Sequence, residues 1–193
     1  MPRVIAGSAR GVHLESPKGV NLRPMMDRVR GSLFDMLWSL DAVHGRVLDL
    51  FAGTGAVGIE ALSRGADWAD FVELNRKSCR TIERNLNRTG FESRGRVHCR
   101  RAEEVIAQPE SLGGVLLYDL ISVTPPYEAV EYLPLLERLA ASPLVGPGTI
   151  VTVEFPSEIS LPEVIGPLRR LRDRAYGRTR LSVYDYPMDT SEG

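Results

Sequence analysis

The chain has 193 residues, 43% of them hydrophobic and 25% charged, with a formal net charge of −1. That length holds one substantial domain and a small extension, and the composition is ordinary for a globular protein rather than a disordered or fibrous one. A near-neutral total excludes a uniformly basic nucleic-acid coat, and no continuous apolar run is long enough to span a bilayer.

The charge is unevenly spread. Residues 1–40 carry six Arg or Lys (Arg3, Arg10, Lys18, Arg23, Arg28, Arg30) against three acids (Glu15, Asp27, Asp35), and residues 169–180 carry six arginines against Asp173. Basic ends on a neutral body suggest an anionic partner bound by a local patch. Cys79 and Cys99 form no CxxC or metal-spaced cluster, and the N-terminus has no sustained apolar run of signal-peptide type. A reducing, cytoplasmic location and a metal-free protein are therefore expected.

In chain order, Arg3–Ala6 and Val12–Leu14 read as two β-prone pieces of a small hairpin around Gly7–Gly11. Pro17, Gly19 and Pro24 mark a loop. Asp27 then reads as the cap of a helix with apolar residues Val29, Leu33, Phe34, Leu37 and Leu40 at helical spacing. From Arg46 strands and helices alternate: strand 46–50, helix 56–64, strand 68–74, helix 76–88, strand 95–99, helix 102–107. A buried strand over 115–123, a helix over 130–140 and a strand over 148–154 follow. Segments 168–175 and 178–186 read as a closing antiparallel pair. Residues 1–44 thus form an extension, 45–188 the main domain and 189–193 a frayed tail. Alternation of this kind means a doubly wound, mostly parallel sheet that binds ligands at the carboxyl ends of its strands.

Three signals fall at such ends. The stretch Asp49-Leu50-Phe51-Ala52-Gly53-Thr54-Gly55-Ala56-Val57-Gly58 is a strand, a glycine turn and a helix start, where missing Cβ atoms let the backbone lie against a cofactor. Glu73 follows Gly53 by 20 residues, the spacing of a ribose-binding acid. The same text fits a dinucleotide, so an NAD-dependent oxidoreductase is the rival reading. Asp49, at the strand tip where its charge would face the ligand, favours a cationic ligand such as S-adenosylmethionine over a pyrophosphate. The third signal is Thr124-Pro125-Pro126-Tyr127. Its two prolines fix a rigid carbonyl path that can accept from an exocyclic amine while Tyr127 stacks on the base. His13, His44 and His98 lack partners at catalytic spacing and read as structural.

The cofactor turn resembles that of class I S-adenosylmethionine-dependent methyltransferases. Over nearly its whole length the chain is similar to the RsmD family of bacterial 16S rRNA guanine-N2 methyltransferases. The resemblance rests on Arg3–Gly7 with Arg10-Gly11, Leu22-Arg23-Pro24, Asp27–Arg30 with Leu33-Phe34, the turn through Glu60–Ala66, then Glu73, Asn85 and Tyr176-Gly177 with Thr179. It implies a Rossmann-like, seven-stranded sheet with a closing antiparallel strand and a small N-terminal hairpin-and-helix extension. It also implies a cofactor held by Asp49, Phe51, Gly53, Gly55, Glu73, Ala102 and Glu103. Catalysis falls to Thr124, Pro125, Pro126 and Tyr127, and RNA contact to Arg10, Arg23, Arg28 and Arg30. The expected partner is small-subunit rRNA or an assembling small subunit, met by a monomer away from any membrane.

One departure stands out. The family has Asp before Pro-Pro-Tyr where this chain has Thr124, whose neutral hydroxyl stabilises a developing cation less well. A DNA amino-methyltransferase, or a cofactor-binding RNA-assembly protein with little catalysis, are the alternatives that Thr124 opens.

Overall fold

The computed structural model of the chain describes residues 1–22, 24–114 and 117–188. Apolar residues recur at helical spacing in α1 (Asp27–Ser39), which buries Val29, Leu33, Phe34, Met36 and Leu37 on one side. From there the chain alternates. β1 (Arg46–Leu50) leads to α2 (Ala56–Ser63), β2 (Trp68–Val72) to α3 (Arg76–Thr89), and β3 (Gly95–His98) to α4 (Ala102–Ala107). β4 (Leu120–Val123) leads to α5 (Tyr132–Ala140), and β5 (Ile150–Pro156), β6 (Val164–Ile165), β7 (Leu168–Tyr176) and β8 (Thr179–Asp185) complete the sheet. The strand order is β3-β2-β1-β4-β5-β8-β7-β6. β1 to β5 are parallel, and β8 pairs antiparallel with both β5 and β7. Two cores cover the two faces: α1, α2 and α3 lie over one, α4 and α5 over the other.

The α/β class and the doubly wound topology are as expected, with one strand more than seven. β6, two residues between Pro162 and Gly166, is too short to leave a periodic pattern and pairs with β7 at Arg169 and Leu168. Of the run expected as a strand over 115–123, residues 115 and 116 lie outside the described residues, and from 117 onward the strand begins at Leu120. Leu117 is exposed, while Asp119 accepts a hydrogen bond from the Arg46 amide (2.7 Å) and so opens the β1–β4 ladder. Among the described residues no helix is long and apolar enough to cross a membrane.

In the N-terminal extension the two β pieces pair through backbone hydrogen bonds, Val4 N–H to the Val12 carbonyl (2.9 Å), Gly11 N–H to the Val4 carbonyl (2.8 Å) and Leu14 N–H to the Pro2 carbonyl (2.8 Å), around an antiparallel bridge from Arg3 to His13, and stay too short to form named strands. α2 holds them from one side. The buried Glu60 carboxylate accepts from the Ile5 amide (2.8 Å), the Ala6 amide (3.0 Å) and Arg64 Nε (2.8 Å). Ser63 Oγ donates to the Ala6 carbonyl and accepts from the Ala9 amide. Asp27 is not a cap: Met26 holds that position without a side-chain bond, and Asp27 accepts from Arg30 at 2.9 Å.

Arg30, expected on the RNA surface, is 0% exposed. It donates to the Arg3 and Met25 carbonyls and lies 3.8 Å from Glu60. Its stem is long enough to run under the extension, where carbonyls and two carboxylates offer more than water does. Breaking such a buried ionic group leaves Glu60 undercompensated. Arg30→Ala should lower the unfolding free energy by about 3 to 5 kcal/mol, and the exposed Arg28→Ala by less than about 0.5 kcal/mol, as read from urea denaturation.

Candidate active site

The turn between β1 and α2 is built from positive φ angles. Phe51 sits at φ 61°, Gly53 at 58° and Gly55 at 78°. Phe51 has a Cβ and is strained there. Gly58 serves a different need: a Cβ on it would lie 2.4 Å from the Phe71 ring of β2, so the glycine lets α2 lie close on the sheet.

Three side chains from three elements hold this turn. Asp49 Oδ2 accepts from the Gly58 amide (2.9 Å), Glu73 Oε2 from the Gly53 amide (2.9 Å), and Asn85 Nδ2 donates to the Thr54 carbonyl (2.9 Å). Glu73 Oε1 also accepts from the Asn75 amide, and Asn75 caps α3. The turn that carries the glycine motif is therefore preorganised by the protein itself.

Above it opens a cavity of about 1060 Å³ at the carboxyl ends of the strands. Phe51, Gly53, Glu73, Ala102, Glu103 and all of Thr124–Tyr127 line it. Gly55 lies just below, packed towards Ile82 and Ile59. Thr124 Oγ1 donates to the Phe51 carbonyl at 3.4 Å, so its hydroxyl braces the strained turn across the gap between β1 and β4. Tyr127 OH bonds to Thr179 Oγ1 (2.5 Å) and lies 3.5 Å from Glu154 Oε1, which anchors the Pro-Pro-Tyr loop to β5 and β8.

Asp49 departs from its expected place. It is fully buried beneath the turn and is not among the cavity-lining residues. Burial pushes its carboxyl up to about 7, opposed by the Gly58 N–H and reinforced by Glu73. Its second oxygen, Oδ1, has no hydrogen-bond partner among the described residues. A carboxyl sealed under the turn, off the cavity wall, cannot choose between cofactors by bare charge. What it does is set the helix start. The alternation of strand side chains turns Asp49 into the α2 side of the sheet, a tertiary fact that position in the sequence does not contain.

Of the arginines expected to meet RNA, Arg28 is exposed at the start of α1, close in sequence to the cavity-lining Met25. Arg10 is exposed near the C-terminal end of α2, about 12 Å of helix away from the turn. Arg30 is buried, and Arg23 lies outside the described residues. The structure adds wall residues that motif reading passed over: Leu22, Pro24 and Met25 from the extension, Glu154 from β5 and Arg178 from the turn between β7 and β8. Glu154 could have been found by the rule that located Glu73, since both sit near a strand's carboxyl end. His98 pairs with Asp70 (2.8 Å), which also accepts from Trp68 and Tyr118. Burial alone would raise Asp70, but these hydrogen bonds bring it below the usual carboxylate range. That buried network is structural, and among the described residues no cluster of His, Cys, Asp and Glu could hold a metal.

Sheet order, glycine turn and the Pro-Pro-Tyr loop facing it place the chain in the class I methyltransferase fold. A family model described as "Conserved hypothetical protein 95" matches residues 2–185, and the chain belongs to that family, the RsmD family its motifs resemble. Among curated relatives, "Putative rRNA methyltransferase YlbH" of Bacillus subtilis (strain 168) is 34% identical over 185 residues, covering 94% of this chain and 97% of that one. "Ribosomal RNA small subunit methyltransferase D" of Escherichia coli (strain K12) is 31% identical, over 94% and 88%. The solved structure titled "Putative methyltransferase yhhF from Escherichia coli" superposes with a TM-score of 0.81 at 29% identity, over 97% of this chain and 99% of that one.

Two outcomes test the turn. Gly58→Ala should destabilise the protein by about 1 to 3 kcal/mol, because the Phe71 ring is buried and cannot withdraw; thermal unfolding checks it. For Asp49, the folded state binds its proton more tightly than the unfolded state. It therefore costs nothing below about pH 4 and its full penalty is reached above about pH 7. Asp49→Asn keeps an acceptor for Gly58 and should flatten the fall in melting temperature across that window.

Proposed function

We propose that this protein transfers a methyl group from S-adenosylmethionine to the exocyclic 2-amino group of a guanine in small-subunit rRNA. It would act as a cytoplasmic monomer on the rRNA or an assembling subunit. The observation that carries this reading is a single cavity onto which the glycine turn, Glu73 and Thr124–Tyr127 all open, in a chain of the RsmD family.

The residues present fit the cofactor. A glycine turn with φ values that exclude most Cβ-bearing residues leaves backbone exposed to a ligand at Gly53, and Glu73 offers a carboxylate at the cavity wall. Glu73 would accept from ribose hydroxyls while keeping its hold on the Gly53 amide, and the first amides of α4 at Ala102 and Glu103 would meet the adenine edge. When bound, S-adenosylmethionine supplies an electrophilic methyl on a sulfonium.

The chain's own part is mainly positioning. The Pro125–Pro126 path would accept from the target amine, and Tyr127, fixed by Thr179, would lie against the base. Holding the amine in line contributes through orientation rather than through a strong base. An aryl amine gains acidity as it becomes cationic, so its proton can leave to solvent after transfer. Thr124 adds only a neutral hydroxyl, already engaged with the Phe51 carbonyl, and this favours a slower methyl transfer than a carboxylate there would give.

The deciding assay supplies methyl-labelled S-adenosylmethionine with immature small subunits, assembled small subunits and duplex DNA, then maps the modified base. Label on a guanine 2-amino group of small-subunit RNA is expected. Label on DNA alone, or on no nucleic acid, overturns the reading. Glu73→Ala should weaken S-adenosylhomocysteine binding roughly 10- to 100-fold by calorimetry, as loss of charged hydrogen bonds implies. Thr124→Asp should raise kcat by roughly tenfold.

A further inference from the structure

Four of the six arginines of residues 169–180 separate by face. β7 lies antiparallel to β8, so directly opposed residues share a side of the sheet. Arg172 opposes Val183, Arg174 opposes Leu181 and Tyr176 opposes Thr179. Val183 and Leu181 belong to the core under α1, so Arg172 and Arg174 lie on the α1 side. The hydrogen bond between Tyr176 OH and Ser32 Oγ of α1 agrees with that placement. On the other side, Arg180 is paired with Asp173 and Arg170 with Glu163.

Neutralised and unneutralised charges are thus sorted. Arg172, Arg174 and Arg178 are exposed, as is Arg28, one turn before Ser32 on the same stripe of α1. Among the described residues none of these four forms an ion pair, and neither does Asp35, further along that stripe. Arg172 and Arg174 stand about 7 Å apart along the strand. Arg178, in the turn that follows, lines the cavity on the side of Glu154 and Tyr127. The row therefore runs along β7 and ends at the cavity mouth, where α1 also begins.

We infer that this α1–β7 face is where the phosphate backbone of the RNA lies, with Arg28, Arg172 and Arg174 contacting phosphates and Arg178 guiding the target nucleotide into the cavity. The inference rests on the proposed RNA substrate and says which surface meets it. A protein of net charge −1 needs such a localised row to hold a polyanion, and counterion release makes the affinity fall with salt in proportion to the phosphates engaged. The row has a competing use. Beyond Arg170, no strand pairs with the outer edge of β7 among the described residues, and charge on an open edge discourages a second strand from docking there.

The test measures binding of an unmodified small-subunit rRNA fragment by fluorescence anisotropy across a salt series. The proteins compared are the wild type, Arg172→Gln/Arg174→Gln, Arg172→Lys/Arg174→Lys, and Arg80→Gln/Arg138→Gln on other faces. The Gln pair on β7 should bind at least tenfold more weakly near 0.1 M salt and lose about 0.7 to 0.9 in log–log salt slope per contact removed. The Lys pair should keep the slope, which a fold defect would not allow, and the Arg80/Arg138 pair should match the wild type. Methyl transfer by the β7 Gln pair should show a raised KM for RNA with S-adenosylhomocysteine affinity unchanged. Unchanged slope and affinity in that variant overturn the inference, and so does self-association by light scattering as its only defect. Salt-dependent binding through these arginines without methyl transfer by the wild type would leave the surface standing and overturn the proposed reaction.

Discussion

Everything at the site depends on the β1–α2 turn being held in shape by hydrogen bonds from outside it. Asp49 fixes the Gly58 amide, Glu73 the Gly53 amide and Asn85 the Thr54 carbonyl. Each clamp comes from a different element, β1, the end of β2 and α3, so the turn can exist only once the sheet and its helices have assembled. The strain of Phe51 is sustained the same way, by a fold that over-determines its backbone. Glu73 does double duty, since the carboxylate that would meet a ribose already holds the turn. Asn85 ties the same turn to the extension through both the amide and the carbonyl of Glu15.

The second constraint is the buried ionic anchor of residues 1–44. The fully buried Glu60 gathers two amides, Arg64 and the neighbouring buried Arg30. An unsatisfied carboxylate at that depth would be costly, and the extension supplies the donors that make it tolerable. In return the extension is welded to α2, and its later residues Leu22, Pro24 and Met25 become part of the cavity wall. It is therefore a structural part of the site and not an appended arm.

Charge in this molecule works by placement. Arg30 and Arg28 are two residues apart, yet one is sealed in the core and the other faces water. Arg170 and Arg180 answer carboxylates, while Arg172 and Arg174 do not. Asp49, whose sequence position suggested an electrostatic lure for a cation, has its carboxyl raised by burial and acts through a hydrogen bond instead. The choice of S-adenosylmethionine over a dinucleotide accordingly leans on the family and the cavity, not on that one charge.

The periodicity of apolar residues and the punctuation by glycine and proline determined, without any structure, that this is a doubly wound α/β chain. They also placed Glu73 and Thr124–Tyr127 at strand ends, because period and turn chemistry are local properties. The eighth strand escaped because two residues leave no period, and the sequence did not show that Glu60 takes the Ile5 and Ala6 amides just past the point where the two N-terminal β pieces pair. Which arginines are buried, which way Asp49 turns and which face of β7 stays unpaired were settled by tertiary contact alone. Burial, partner and facing side are relations between distant residues, and a single chain read in order carries none of them.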